Sequence, residues 1–490
     1  MKLKVKLGFK IMYNMLISFI VLLLSFNTYA QDLYPYGNKF PLGLYSLHTD
    51  LDSANYYGWN HGHRYGYRID NIRYLATPMP DSYFEECKKN NLHSFARLSW
   101  TDSLDRKWSV SDQKTINEII QQEKHTNISW WDIPEELRYW KNSEYSILKK
   151  YPQLIREYDT KRRPTYMYIP GHYSKEGVKY YVPFLDILPA SCYTNYQDNP
   201  HIYVRWSIER TQEAIKDDGY KLGKDYLNNE KTVIAILELF EKENLLTKGG
   251  TWHDFWLAIA CDVKGIQIFS HFYRNQSHTL KGSWNILNKA IQLFKKNKFD
   301  EIMLNGENLE LKQKIIIGPS TSPILHIQDK SYILPSLKIL TKKHQDTTYV
   351  IAVNSSNESI IYQLQDIPPL VIESKNLISG KINNVNNQLI VDTLTPLGVS
   401  IFKFYSDQSR IRSIVFPSPS NDIISVRITN SKITFNKIHV FNIHGHLIYT
   451  ENMDYSSERT IDIKNIKKGV YIMQLLRNNK IISANKFIIH

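Results

Sequence analysis

Only 3 of the 490 residues are cysteine, at Cys87, Cys192 and Cys261. An odd count without regular spacing builds neither a disulfide framework nor a zinc site. Each lies in an apolar segment, so buried free thiols are expected. Low-complexity tracts and long charge blocks are absent, which excludes an extended disordered chain. No G-x-G-x-x-G or P-loop follows the first apolar run, no H-E-x-x-H pairs two histidines, and no G-x-S-x-G elbow occurs. The dinucleotide, nucleotide, zinc-peptidase and simplest esterase readings fall with them. Beyond the N-terminus, no apolar run approaches the ~18 residues of a membrane helix.

What is present begins with a leader. Lys2, Lys4, Lys6 and Lys10 precede the apolar run from Met15 to Phe26, and small residues follow up to Ala30. This is the pattern of a secretory signal, with cleavage expected after Ala30. No cysteine stands at that position, which argues against lipoprotein processing. The mature chain is expected to have no stable membrane insertion. The formal charge of +13 includes those four leader lysines. The remaining basic residues are scattered without a basic stripe, so nucleic acid is not an expected partner.

From about Phe40 to Asn297, short apolar runs alternate with helical stretches. The runs are Pro41 to Leu47, His61 to Tyr67, Leu92 to Ser99, Ile128 to Leu137, Pro164 to Tyr173, Asp186 to Asn195, Lys231 to Phe240 and Gly265 to Tyr273. Eight strand–helix units in about 260 residues predict a (β/α)8 barrel over 31–300. Beyond it helical periodicity disappears. Short β-branched runs such as Tyr349 to Asn354 and Val399 to Phe404 predict a β-sandwich over 301–408. A second all-β unit is expected over 409–490. Its markers are Phe416-Pro417-x-Pro419, Phe441-Asn442-x-x-Gly445, Gly469-Val470-Tyr471 and Lys486-Phe487. These resemble the type A C-terminal sorting domain of type IX secretion substrates. The resemblance implies the type IX machinery as a partner and a secreted or outer-surface location, reached through the periplasm.

In a barrel the active site lies at the C-terminal ends of the strands. The fourth run ends in WWDIPEEL, with Asp132, Glu135 and Glu136, and the seventh in AILELF, with Glu238. An acid within an apolar run is costly to bury unless paired or set at an opening. Strand alternation puts Trp130, Asp132, Pro134 and Glu136 on one side. Glutamates closing strands four and seven resemble the large clan of retaining (β/α)8 glycosidases. That resemblance implies Glu136 as general acid/base and Glu238 as nucleophile. The chain departs from the clan where Glu135 stands in place of the usual Asn, and Glu135 reads as a cap for the following helix. EYDTKRRP, ahead of the fifth run, resembles the "DPTRP" stretch of glycosidase-like barrels and bears on the fold's register.

The same strand-end logic nominates His63 and Tyr65 with Arg64, Arg97 and Trp100, His172 with Tyr173, Tyr193 with Asn195, and His271 and Tyr273. Together with Asp132 they are the candidate substrate contacts. Flat rings stack on sugars, and Arg and His bond hydroxyls or a uronate. His61 and His63 share one run and His172 and His271 close two others, without ligand spacing, so no metal is expected, and no organic cofactor. The expectation is a secreted glycoside hydrolase acting on a poly- or oligosaccharide with two carboxylates. The other reading is a non-catalytic glycan-binding or surface-attachment protein on the same barrel.

Overall fold

The structure, a computed structural model, describes residues 33–65, 68–69, 72–73, 79–98, 111–196, 198–240, 247–345, 347–368, 371–385, 388–406, 413–428 and 434–490. The chain forms two compact units. The first runs to Asn305 and takes in Pro323–Leu334; the second comprises Gly306–Ser322 and Pro335–His490.

The first unit is the barrel. Its strands are β1 (Leu42–Tyr45), β2 (His61–His63), β3 (His93–Arg97), β4 (Ile128–Asp132), β5 (Thr165–Tyr166), β6 (Ile187–Cys192), β7 (Glu230–Glu238) and β8 (Ile266–Phe269). They pair in parallel in chain order, and β8 pairs with both β7 and β1, which closes the sheet. Each strand is followed by a helix: α1 (Leu51–Tyr57), α2 (Asp81–Lys89), α3 (Asp112–Glu123), α4 (Asn142–Tyr158), α5 (Lys175–Lys179), α6 (Tyr203–Asp217), α7 (Lys248–Ala260) and α8 (His278–Lys296). A strand with a packed interior on one face and a helix on the other is buried on both, so its sequence reads as a continuous apolar run. All of β1, β4 and β6 is buried accordingly. Tyr45, Phe95, Trp130, Tyr166, Ile187, Ile234 and Ile236 fill the interior. Helix starts are fixed by side chains that accept an otherwise orphan amide: Ser111 from Lys114, Thr247 from Gly250 and Ser277 from Leu280.

The EYDTKRRP segment is a buried clamp. Asp159 and Arg163 form an ion pair at 2.9 Å with side chains 0% and 1% exposed. The Asp159 carboxylate also accepts the Trp131 indole N–H and the Arg163 amide, both at 2.8 Å. Arg163 donates in turn to the carbonyls of Glu123 and His125. One pair thus ties the end of α3, strand β4 and the entry to β5. A further helix, α9 (Phe299–Asn305), closes the unit. The hairpin Leu325–Ile327 with Lys330–Tyr332 lays Leu325 and Ile327 on Ile202, Tyr203 and Trp206 of the α6 region.

The second unit is all β. A six-stranded and a three-stranded antiparallel sheet enclose Val350, Ala352, Ile360, Tyr362, Phe402 and Phe404. After Ser413 come a three-stranded and a four-stranded sheet with their own core, including Ile424, Val426, Ile438, Val440, Met473 and Phe487. Phe435–Asn442 and Leu447–Ser456 form a hairpin whose turn explains the Phe-Asn-x-x-Gly spacing. Asn442 Oδ1 accepts the amides of His444 and His446 at 3.0 Å, and Gly445 sits at φ 80°, where a side chain is disfavoured. Among the described residues no helix is long and apolar enough to cross a membrane.

Candidate active site

Strand ends converge on a cavity of about 690 Å³ at the C-terminal face of the barrel. Rings dominate its walls: Tyr45 and Phe269 at the ends of β1 and β8, Tyr65 after β2, Tyr168 and Tyr173 after β5, Tyr193 and Tyr196 after β6, Phe240 after β7, and Tyr273 after β8. The β4–α4 loop brings the charge, as Glu135, Glu136 and Arg138. Close backbone approach holds the wall beyond β5. A Cβ on Gly171 would lie 2.3 Å from the Ser191 carbonyl oxygen, and the Gly171 carbonyl accepts from Arg210 at 2.7 Å.

Glu135 is 8% exposed, and its Oε1 is buried without a hydrogen-bond partner among the described residues. Burial pushes its carboxyl well above the usual carboxylate range, and Asp132 beneath it pushes the same way, against Arg97 and a hydrogen bond with Tyr65. Burial raises Asp132 as well, so the pair favours holding a proton where exposed carboxylates would have lost it. Glu136 is half-buried at φ 54°, and its amide donates to the Tyr168 carbonyl at 3.2 Å. The expected alternation that pairs Asp132 with Glu136 does not extend so far. Strand geometry ends at Asp132, and the loop then turns through the left-handed conformation of Glu136. Nor does Glu135 cap a helix. The N-cap position of α4 is Lys141, and its first-turn acid, Glu144, is bonded to Arg138.

Of the other sequence candidates, Tyr65, His172, Tyr193 and Tyr273 line the cavity. Burial holds the His172 imidazole below its ordinary range. Asp132, His63 and Arg97 lie beneath the lining: Asp132 meets His63 Nε2 at 2.8 Å and Arg97 Nε at 3.6 Å, and all three are buried. Arg97 passes 5.5 Å from the centre of the Tyr65 ring. His271 is buried against Trp284 and is not part of the lining. Trp100 lies outside the described residues.

Glu238 closes β7 and is likewise absent from the described lining. Its carboxylate accepts the Thr194 hydroxyl at 2.9 Å, the Asn195 amide, and the Tyr196 amide at 3.1 Å. Burial raises it to about 7 against those three hydrogen bonds. It therefore fastens the loop that presents Tyr193 and Tyr196 to the cavity. Glu238→Gln keeps only one accepting oxygen for these donors. The expected result is a rise in KM with kcat reduced less than about tenfold. A nucleophile would cost kcat by orders of magnitude, so steady-state kinetics separates the two.

The sequence marks Glu135 as a helix cap rather than a site residue, and it does not single out Tyr45, Phe240 or Phe269. The last three close strands as the polar candidates do, so strand-end position was the available signal. Away from the cavity, His201, His253 and Asp254 bring ligand atoms within 4.8 Å of one another. Asp254 there accepts from His201 at 2.8 Å and from His253 at 2.9 Å, so the cluster is satisfied by its own hydrogen bonds.

The chain thus combines a closed (β/α)8 barrel with a C-terminal all-β domain. Residues 414–490 match the family described as the secretion system C-terminal sorting domain. The chain is 24% identical over 123 residues to ulvan lyase NLR42 of Nonlabens ulvanivorans, a stretch that spans 24% of this chain and 23% of that protein. Among solved structures it is similar to an α-amylase from Geobacillus thermoleovorans, with a TM-score of 0.45 at 8% identity over 76% of this chain and 99% of that one. A β-L-arabinopyranosidase from Geobacillus stearothermophilus gives 0.45 at 10% identity, over 76% and 97%. The maltogenic α-amylase AmyB of Thermotoga neapolitana gives 0.46 at 12% identity, over 75% and 98%.

Proposed function

We propose that this protein is a glycosidase, exported to the cell surface or medium, that cleaves a poly- or oligosaccharide in the barrel cavity. The observation that carries the reading is Glu135: a buried carboxyl in the wall of an aromatic cavity, with an oxygen unpartnered among the described residues and its titration raised by that burial. Glycoside hydrolysis needs one carboxylic acid to protonate the leaving oxygen and a second carboxyl group near the anomeric carbon. In this reading Glu135 is the proton donor and Glu136, its neighbour on the same wall, is the second group. Asp132, His63 and Arg97 support Glu135 from below. Tyr65, His172, Tyr193 and Tyr273 contact the sugar, and no organic cofactor enters. Release of new reducing ends from a panel of soluble polysaccharides tests the activity. Release from at least one is expected, and none from any overturns it.

One observation favours the alternative of a non-catalytic glycan-binding protein. Glu238, the expected partner from strand seven, is committed to the loop after β6. Glycan binding without reducing-end release would support that alternative.

The sorting domain is proposed to carry the chain outward through the periplasm once the 1–30 leader is removed. Deleting 414–490 is expected to leave the protein in the periplasmic fraction, as read by immunoblot of cell fractions. Undiminished appearance in the medium or on the surface contradicts this.

A further inference from the structure

We propose that Trp140 is a platform for a second sugar unit, so that the substrate is a chain rather than a single sugar on a small aglycone. This rests on the carbohydrate reading above. Trp140 lines the cavity and is 54% exposed, so much of its indole is open to a ligand there. Tyr139 meets it edge-on at 4.9 Å and 90°, and Tyr173 at 5.7 Å and 65°.

Those braces are themselves fixed. Tyr139 stacks on Tyr180 at 4.1 Å and 5°. Tyr173 stacks on Tyr181, whose hydroxyl donates to the Leu137 carbonyl at 2.7 Å. On the loop itself, the Arg138 amide and Nε both donate to Glu144 at 2.8 Å. The indole is therefore held in one orientation before any ligand arrives, which spares the entropy of ordering it on binding.

A flat, rigid, half-exposed ring suits the C–H face of a pyranose. The position argues for a chain. Trp140 follows Glu136 by four residues on one loop, so it lies at most ~14 Å along the backbone from the second carboxyl group. A glycan bound across Glu135 and Glu136 reaches it with its neighbouring units.

The test is binding of full-length wild type and Trp140→Ala to an oligosaccharide microarray covering one to eight units. Reducing-end release by both proteins is measured in parallel. Wild type is expected to favour oligomers over the matching monosaccharide. The variant is expected to lose about tenfold or more on oligomers, and to stay within about twofold on the monosaccharide. Trp140→Phe, which keeps a ring, is expected to recover most of the loss. Equal oligomer affinity in wild type and Trp140→Ala, with hydrolysis intact, overturns the platform alone. A wild type that neither binds nor cleaves any glycan overturns the carbohydrate reading with it.

Discussion

Replacing Glu135 by glutamine is expected to lower kcat by roughly 10²–10⁴-fold, the usual worth of a positioned proton donor. Gln preserves the shape of the wall and can still donate a hydrogen bond, but it cannot give up a proton. Affinity for the glycan should change little. The pH profile provides an independent check. Burial, then Asp132, raises Glu135 above the ordinary carboxylate range, so the acid form persists into the neutral region and wild-type activity falls as pH rises through the raised value. The residual activity of the variant should lack that alkaline limb.

The same shift has a stability consequence of definite sign. A group that holds its proton more tightly when folded than when unfolded stabilises the fold below its unfolded value. That contribution is lost as pH rises through the folded one. Wild-type Tm should therefore decline between the ordinary carboxylate range and the raised value, and Glu135→Gln should remove part of that decline. Thermal melts across that range decide it, and parallel Tm–pH curves count against the buried acid.

Removing Asp159 is the largest stability change expected. Asp159→Ala strands the Arg163 guanidinium in the interior, and breaking a buried pair from one side costs about 3–5 kcal/mol. It also leaves the Trp131 indole N–H without its acceptor, at about 1–3 kcal/mol. Asp159→Asn can still accept from the indole and should fall between wild type and Ala. By contrast, the Lys124–Asp81 pair joins side chains 52% and 49% exposed, and pairs of that kind are worth ~1 kcal/mol or less. Urea denaturation followed by tryptophan fluorescence, whose signal includes Trp130 and Trp131 beside the clamp, measures the difference. An Asp159→Ala midpoint no lower than that of Lys124→Ala contradicts the clamp.

The barrel was legible because parallel strands are buried on both faces, so β1, β6 and β7 stand out as apolar runs between helices. The hairpin at Gly445 was legible because a left-handed turn position calls for glycine or a residue that tolerates it. EYDTKRRP was read as bearing on the fold's register, and its Asp and Arg form the buried clamp. The site was harder. Period-two alternation predicts sides only while a strand continues, and β4 stops at Asp132. Beyond it, Glu135 and Glu136 are placed by loop geometry, including a positive φ at a glutamate, that no short-range pattern encodes. Glu238 illustrates a different limit. An acid at the end of an apolar strand reads the same whether it faces a substrate or accepts the amides of a neighbouring loop. Trp140 belongs to no strand end, and its exposure and bracing exist only in three dimensions.

The most direct test of the proposed chemistry compares two leaving groups in wild type and Glu135→Gln. A dinitrophenyl glycoside departs without proton assistance, whereas a natural sugar leaving group needs it. Glu135→Gln is expected to show a large kcat deficit on the oligosaccharide and a small one on the dinitrophenyl glycoside of the same sugar. Equal deficits on both, or none on either, would contradict Glu135 as the proton donor.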